Sequence, residues 1–244
     1  MDTSNENSIS LNKYISNTGI CSRRGANQLI ADKKVKINGN LAELGNRVFP
    51  GDDVTIDNKP LKSAPKSIYV ALNKPIGIVC TTDKKERKNI VDFINHKERL
   101  FPIGRLDKPS QGLIFLTNDG DIVNKILRAG NSHEKEYVVR VDKIIDQKFI
   151  SQMASGIPML GTVTKKCKVS KINKTVFKIT LTQGLNRQIR RMCEYLGYDV
   201  KTLKRTRIMN VELGKLKVGE WRYLTKNEIT QINSMVSDSS KTAD

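Results

Sequence analysis

The first sixty residues carry apolar stripes at helical spacing, followed by short strand-like runs. Ser10 precedes a stripe that contains Leu11 and Ile15, and a second stripe follows Ser22, so this spacing predicts two short helices with hydroxyl N-caps. The stretch VKINGNLAE predicts a hairpin with an Asn-Gly turn, and GDDVTID predicts a further strand. We therefore expect a small, compact first domain at residues 8–63.

The pattern changes after residues 59–67, where Lys, Pro and Ser predict a linker. Strands are predicted at IYVALNKP, GLIFLTN, KEYVVRVD, GTVTKKCKVSKI and TVFKITLT, and helices at NIVDFINHKE, GDIVNKILRAG, DQKFISQMASG and LNRQIRRMCEYLG. This order predicts an α+β fold, with a mixed, largely antiparallel sheet over residues 67–235. The polar segment at residues 236–244 is predicted to be a disordered tail.

Positive charge is concentrated in one part of the chain. The net charge is +18 and the isoelectric point is about 9.8. Residues 161–210 contain thirteen Lys and Arg residues but two acids, whereas residues 1–66 carry a net charge of only +3. A basic segment of this kind is typical of a surface that binds a nucleic-acid backbone. A solvated basic surface without a partner is the alternative.

Cysteine and histidine spacing argues against a metal site. The four cysteines are far apart in sequence, no Cys-x-x-Cys pair occurs, and the two histidines are also distant from each other. The chain has neither the pattern of a secretory signal nor an apolar run long enough for a membrane span. We therefore expect reduced thiols in a cytoplasmic protein that needs neither a metal nor a membrane.

One isolated acid stands at the start of the most apolar run of the chain. Asp107 follows Gly-Arg-Leu and precedes Pro109, Ser110 and Gly112, which predict a tight turn before the strand LIFL. A carboxylate on a loop at the end of a sheet can act as a nucleophile or a base. A buried ion pair or a turn cap is the structural alternative.

Arginines crowd the start of the helix predicted in QGLNRQIRRM, where Asn186 is the predicted cap. Arg187 and Arg191 are four residues apart and share a helical face, while Arg190 points elsewhere. Crowded arginines require anions, either phosphates or a buried carboxylate. Asp107 is the natural carboxylate for one of them.

Two more arginines, Arg23 and Arg24, stand in the first turn of the second predicted helix. The helix dipole disfavours cations at that position, so we expect an external anion to hold them. Ordinary solvated arginines are the alternative there.

Tyr137 stands at the start of a predicted strand. Its ring could stack on a nucleobase or pack in the core.

Four segments, in this order and spacing, carry a family resemblance: NKPIGIVCT, FPIGRLDKPSQGLIFLTNDGD, KEYVV and GLNRQIRRM. Together they resemble the RsuA-like family of ribosomal RNA pseudouridine synthases, over about residues 10–232. The resemblance implies an S4-type RNA-binding first domain, a pseudouridine synthase catalytic domain and no cofactor. It implies Asp107 as the catalytic nucleophile, Tyr137 as the base-stacking residue and Arg190 as the partner of Asp107. The remaining residues expected to bind RNA are Arg23, Arg24, Lys74, Arg105, Lys135, Arg187, Arg191, Lys204 and Arg205.

The resemblance leaves the substrate open. We expect a monomer that modifies large-subunit ribosomal RNA, with transfer RNA, alone or in addition, as the alternative. A non-catalytic RNA-binding assembly factor is a further alternative, although it would not need Asp107, Tyr137 and Arg190 together. Leu185 stands where most members of the family have a basic residue. This difference points to a subgroup with its own choice of substrate. Residues 113–116 and Ile189 are expected to line the pocket that holds the target base.

Overall fold

The computed structural model describes residues 8–127 and 132–237. These residues form two compact units. The first unit runs to Ser67 and includes Lys97–Arg99, and the second comprises Ile68–His96 and the residues from Leu100 onward. No helix in the described part of the chain is long and apolar enough to cross a membrane.

The first unit combines two short helices with small sheets. Its elements are β1 (Ile9–Ser10), α1 (Leu11–Asn17), α2 (Arg23–Ala31), β2 (Val35–Ile37), β3 (Asn40–Leu41), β4 (Arg47–Val48), β5 (Val54–Ile56) and β6 (Lys59–Pro60). The order β3-β2-β5-β6 gives an antiparallel sheet, and β1 pairs with β4. The cap predicted at Ser22 is confirmed, because its hydroxyl accepts a hydrogen bond from the Gly25 amide at 3.0 Å. Ser10 precedes α1 without a capping side-chain bond.

The second unit is built on one large sheet. The strands of this unit are β7 (Tyr69–Lys74), β8 (Phe101–Ile103), β9 (Gln111–Thr117), β10 (Lys135–Val141), β11 (Pro158–Met159), β12 (Thr162–Val163), β13 (Lys168–Lys171), β14 (Val176–Leu181), β15 (Val200–Ile208), β16 (Val211–Glu212) and β17 (Trp221–Tyr223). Strands β11 and β12 form a separate two-stranded antiparallel pair outside the large sheet. The sheet order is β13-β14-β10-β15-β9-β7-β17, with β16 on β15 and β8 on β9. Among the described strands of this sheet, only the β15–β9 pair is parallel. The expected mixed, largely antiparallel sheet is thus confirmed.

Helices cover both faces of this sheet. They are α3 (Ile90–Ile94), α4 (Asp121–Leu127), α5 (Gln147–Ser155), α6 (Gln188–Tyr195) and α7 (Lys226–Val236). On β9, Ile114 and Leu116 enter the core under α3, α5 and α6, whereas Leu113 and Phe115 enter the core under α4 and α7. The run LIFL is continuously apolar because successive side chains of one strand are buried on opposite faces.

Strand β15 occupies the centre of the sheet, although no strand was predicted there. Its sequence, VKTLKRTRI, places basic residues among the apolar ones and so hides the alternation of a half-buried strand. Gly112 on β9 has φ +116°, and a Cβ at that position would lie 2.3 Å from the Arg205 carbonyl oxygen. The parallel pairing of β9 and β15 therefore requires a glycine at position 112.

Two local predictions need correction. Helix α6 begins at Gln188 after Arg187, which has a left-handed φ of 50°, so Asn186 is not its cap. The Leu185 amide instead donates to the Gln188 side chain, at 3.0 Å. The predicted tail starts too early, because Val236 is the last residue of α7 and is buried. Residues 238–244 lie outside the described residues.

Candidate active site

A cavity of about 420 Å³ opens in the second unit beside the central strands. The loop between β8 and β9, the start of α6, and side chains of β10 and β15 line this cavity. Phe115 and Ile189 contribute to its apolar wall. Leu113, Ile114 and Leu116, which were expected there, are instead packed in the two cores. Only every second side chain of a strand points to one face, so a four-residue run cannot wall one pocket.

The structure places Asp107 at the cavity, on the loop between β8 and β9. The peptide groups around this carboxylate are held by distant segments. Leu106 donates its amide to Cys80 Sγ at 3.3 Å, and its carbonyl accepts from the same thiol at 3.2 Å. The carbonyl of Lys108 accepts from the Gly77 amide at 2.8 Å. The side chain of Asp107 keeps 35% of its surface exposed, so it faces the open part of the cavity.

Arg190, in the first turn of α6, faces the same loop. Its Nη2 donates to the Pro109 carbonyl and to Ser110 Oγ, both at 3.2 Å, and its Nη1 donates to the Val200 carbonyl at 3.3 Å. Its Nε lies 4.0 Å from Asp107 Oδ2 and has no hydrogen-bond acceptor among the described residues. Burial and the nearby Arg187 lower the pKa of Arg190, and the charge of Asp107 opposes that shift. An arginine remains charged in such surroundings.

Tyr137 and Arg205 form a directly opposed pair on β10 and β15. Both are buried, and the guanidinium carbon lies 6.0 Å from the centre of the tyrosine ring. Arg205 donates through Nε to the Leu113 carbonyl at 2.6 Å and through Nη1 to the Arg105 carbonyl at 3.5 Å. Arg205 therefore connects the strand that bears Tyr137 with the loop that bears Asp107.

Two lysines of the expected RNA-binding set are buried. Lys74 is fully buried and donates to the carbonyls of Pro75 and Ile78 at 2.8 and 2.9 Å, so it cannot contact RNA at a surface. Burial lowers its pKa. Lys135 is 8% exposed, lines the cavity and donates to the His133 carbonyl at 3.2 Å. Burial, together with the charge of Arg205, lowers the pKa of Lys135 to about 8.

The comparisons with known proteins decide the family. Residues 68–195 match the family model for RNA pseudouridylate synthase, and residues 10–63 match the S4 domain model. The dual-specificity RNA pseudouridine synthase RluF of Escherichia coli (strain K12) is 59% identical over 237 residues, which cover 96% of this chain and 82% of that relative. The chain belongs to the RNA pseudouridine synthase family.

Two further similarities agree with this assignment. Ribosomal large subunit pseudouridine synthase B of Bacillus subtilis (strain 168) is 34% identical over 234 residues, covering 92% of this chain and 96% of that relative. A crystal structure of a pseudouridylate synthase superposes with a TM-score of 0.68 at 29% identity, covering 92% of this chain and 99% of that chain. This pseudouridine synthase thus contains an S4 domain followed by an α+β catalytic domain, and it is an enzyme rather than a non-catalytic assembly factor.

The cavity of this pseudouridine synthase is strongly basic. Its lining includes one carboxylate, Asp107, and the following cations among the described residues: Arg105, Lys135, Arg187, Arg190 and Arg205. Two other members of the expected RNA-binding set do not line it. Arg191 turns back to hydrogen-bond Asn186, and Lys204 lies on the opposite face of β15 from Arg205. The helical spacing of Arg187 and Arg191 did not reveal this, because Arg187 precedes the helix.

In the S4 domain, Arg23 and Arg24 are the first two residues of α2 and are exposed, as expected. The first turn of α2 contains no acidic residue. Their guanidinium groups are therefore available to an external anion beside the free amides of a helix start.

Sequence reasoning missed the residues that hold the active-site loop. Cys80 contacts Leu106, 26 residues away in sequence, and Ser110 accepts from Arg190. Both residues lie inside the segments that carry the family resemblance, but the sequence did not show which residues they contact. Spacing along the chain does not predict contacts between distant loops. Gln188, which is buried and closes the start of α6, was missed for the same reason.

Proposed function

We propose that this enzyme isomerises specific uridines of structured RNA through Asp107, with Tyr137 and Arg190 as its partners. Residues 8–63 position the RNA and residues 67–235 carry out the reaction. The conversion breaks the bond from N1 of the base to C1′ of the ribose and rejoins the ring to C1′ through C5. All atoms of the nucleoside are kept, so the reaction itself demands no co-substrate.

The Asp107–Arg190 pair is the observation that carries the proposal. A carboxylate nucleophile must be ionised and oriented, and the guanidinium beside it favours the ionised form. Arg190 also fixes the turn after Asp107, through Pro109 and Ser110. A loop fixed in this way holds the carboxylate at one position, and accurate placement of a reactive group lowers the barrier. The carboxylate attacks either the anomeric carbon or the pyrimidine ring.

Tyr137 is proposed to receive the extruded base. Removing a uridine from a stacked helix costs a few kcal/mol. Stacking on an aromatic ring returns about 1–3 kcal/mol per base. The Tyr137 ring lines the cavity next to Arg205, so a base stacked there lies within a positively charged wall. Such a wall suits a nucleotide that carries phosphates on both sides.

For the substrate, we propose large-subunit ribosomal RNA, with transfer RNA as a second substrate. The name of the Bacillus subtilis relative supports the first part, and the dual-specificity name of RluF supports more than one RNA. Arg105 and Arg187, exposed at the cavity, are proposed to contact phosphates next to the target uridine. We further propose a monomer, because side chains of one chain line the cavity, and a cytoplasmic location, because the proposed RNA substrates are found there.

Mapping of pseudouridine tests this function. Total RNA from cells with and without the protein is labelled chemically at pseudouridine, and ribosomal and transfer RNA are read separately. The proposal predicts at least one large-subunit site and at least one transfer RNA site that depend on the protein. If pseudouridines depend on the protein in ribosomal RNA alone, transfer RNA is not a substrate. Dependence in neither RNA would contradict the proposed substrates.

A further inference from the structure

Lys135 lines the cavity, and no carboxylate among the described residues pairs with its ammonium group. Lys135 and Tyr137 are two residues apart on β10, so their side chains project from the same face of the sheet. The described residues provide Lys135 Nζ with one acceptor, the His133 carbonyl, whereas an ammonium has three donors. A buried cation without an anion is costly. This position therefore suits a negative charge that arises only when substrate is bound.

The two carboxylates next to Lys135 in the sequence cannot provide that charge. Glu134 is paired with Lys168 at 3.1 Å and with Arg207 at 2.8 Å. Glu136 lies 3.6 Å from Lys178 and accepts from Thr206, on the other face of the strand. The remaining charged or titratable groups around the Lys135 side of the cavity are Arg105, Asp107, His133, Tyr137, Arg187, Arg190 and Arg205. Asp107 is the one acid in this set.

The isomerisation generates a suitable anion. When the N1–C1′ bond breaks, the bonding electrons remain with the pyrimidine, which becomes negatively charged over N1 and the two carbonyl oxygens. The ring turns, C5 supplies the electron pair that forms the new bond to C1′, C5 loses its proton and N1 gains one. A fixed cation beside the ring stabilises it while it is detached, whichever atom Asp107 attacks.

We propose that the Lys135 ammonium is a catalytic group that contacts a carbonyl oxygen of the detached pyrimidine and stabilises its negative charge. This inference rests on the proposed function, since it takes the base to stack on Tyr137. It also replaces the RNA-binding role that was expected for Lys135 from the sequence. A side chain that is 8% exposed is poorly placed to contact surface phosphates, so its charge acts on the reaction rather than on RNA affinity.

The pH dependence follows from the charge of the lysine. The ammonium form is required, and it is present below the pKa of Lys135, about 8. The rate should therefore fall as the pH rises through about 8. An arginine at this position stays charged over the whole range, so Lys135→Arg should remove this fall.

The test uses the full-length protein and two probes, ribosomal RNA and transfer RNA purified from cells that lack it. Single-turnover rates at saturating RNA are measured between about pH 6 and pH 10, and RNA affinity is measured separately. Lys135→Met should slow the reaction about 10²-fold and leave RNA affinity within about twofold. Lys148→Met is the control, because Lys148 is exposed on α5 and does not line the cavity. Thermal unfolding of each variant shows whether it is folded.

The outcomes separate this inference from the proposed function. A parent enzyme that forms no pseudouridine in either RNA overturns the proposed function and this inference with it. An active parent with Lys135→Met within about threefold of its rate, or with a loss confined to RNA affinity, overturns the inference alone. If Lys135→Met does not fold, the profile of Lys135→Arg decides, and an unchanged fall above pH 8 contradicts the role of Lys135.

Discussion

Arg190 Nε lies 4.0 Å from Asp107 Oδ2, while Nη2 of the same guanidinium holds the turn that follows this carboxylate. One side chain thus provides both a charge beside the proposed nucleophile and a hydrogen-bonded support for its loop. The two contributions are separable, because lysine retains the charge but lacks the planar, forked donors of arginine.

Replacement of Arg190 should therefore have a graded effect. Arg190→Lys should reduce the single-turnover rate at saturating RNA about tenfold, and Arg190→Gln about 10²- to 10³-fold, the loss typical of a preorganised charged donor. RNA affinity should change much less than the rate. Arg140→Gln, an exposed change on β10, is the control for the loss of one positive charge. Equal rates for the lysine and glutamine variants would show that the charge beside Asp107 does not matter.

The close approach of β9 and β15 predicts a stability defect. Gly112→Ala places a Cβ 2.3 Å from the Arg205 carbonyl oxygen at a φ of +116°. Backbone strain and overpacking together should lower the free energy of unfolding by about 2–5 kcal/mol. Gly161→Ala is the matched control, because Gly161 has φ +73° but open space around its Cα. Urea unfolding midpoints compare the two variants, and similar shifts would contradict the steric argument.

The sequence predicted most elements of the fold because their patterns are local. Helix α2, with its cap at Ser22, and the strands around Phe115 and Val139 follow directly from apolar spacing. Strand β15 could not be predicted in this way. Arg205 lines the cavity and donates to the Leu113 carbonyl, and Arg207 pairs with Glu134, so the partners that stabilise these two basic residues come from distant segments.

The residues of the site could be predicted from the sequence, but their contacts and burial could not. The resemblance brought Asp107, Tyr137 and Arg190 together, and the structure places all three at one cavity. Lys74 was also expected to bind RNA, which would require an accessible ammonium group. In the fold, Lys74 lies on a strand with core on both faces, and the carbonyls of Pro75 and Ile78 accept hydrogen bonds from its ammonium. Such burial depends on the packing of the whole sheet.

The S4 domain should contribute RNA affinity without contributing to the reaction. Replacing both Arg23 and Arg24 by Ala should weaken RNA binding and flatten its salt dependence by about 0.7–0.9 in log–log slope per lost phosphate contact. The rate at saturating RNA should be nearly unchanged. Lys34→Ala with Lys59→Ala removes two other exposed charges of the same unit and serves as the control. A slower rate at saturating RNA would mean that the two arginines act beyond binding.

The central claim is that Asp107 is the nucleophile of an RNA pseudouridine synthase, and Asp107→Asn tests it most directly. Asparagine has nearly the same shape but is a far poorer nucleophile, so the variant should fold and bind RNA. Pseudouridine formation by the purified variant is measured under single-turnover conditions, on an RNA that the parent modifies. We predict a rate at least about 10³-fold below that of the parent, with RNA affinity retained. A rate within about tenfold of the parent would contradict the assignment of Asp107.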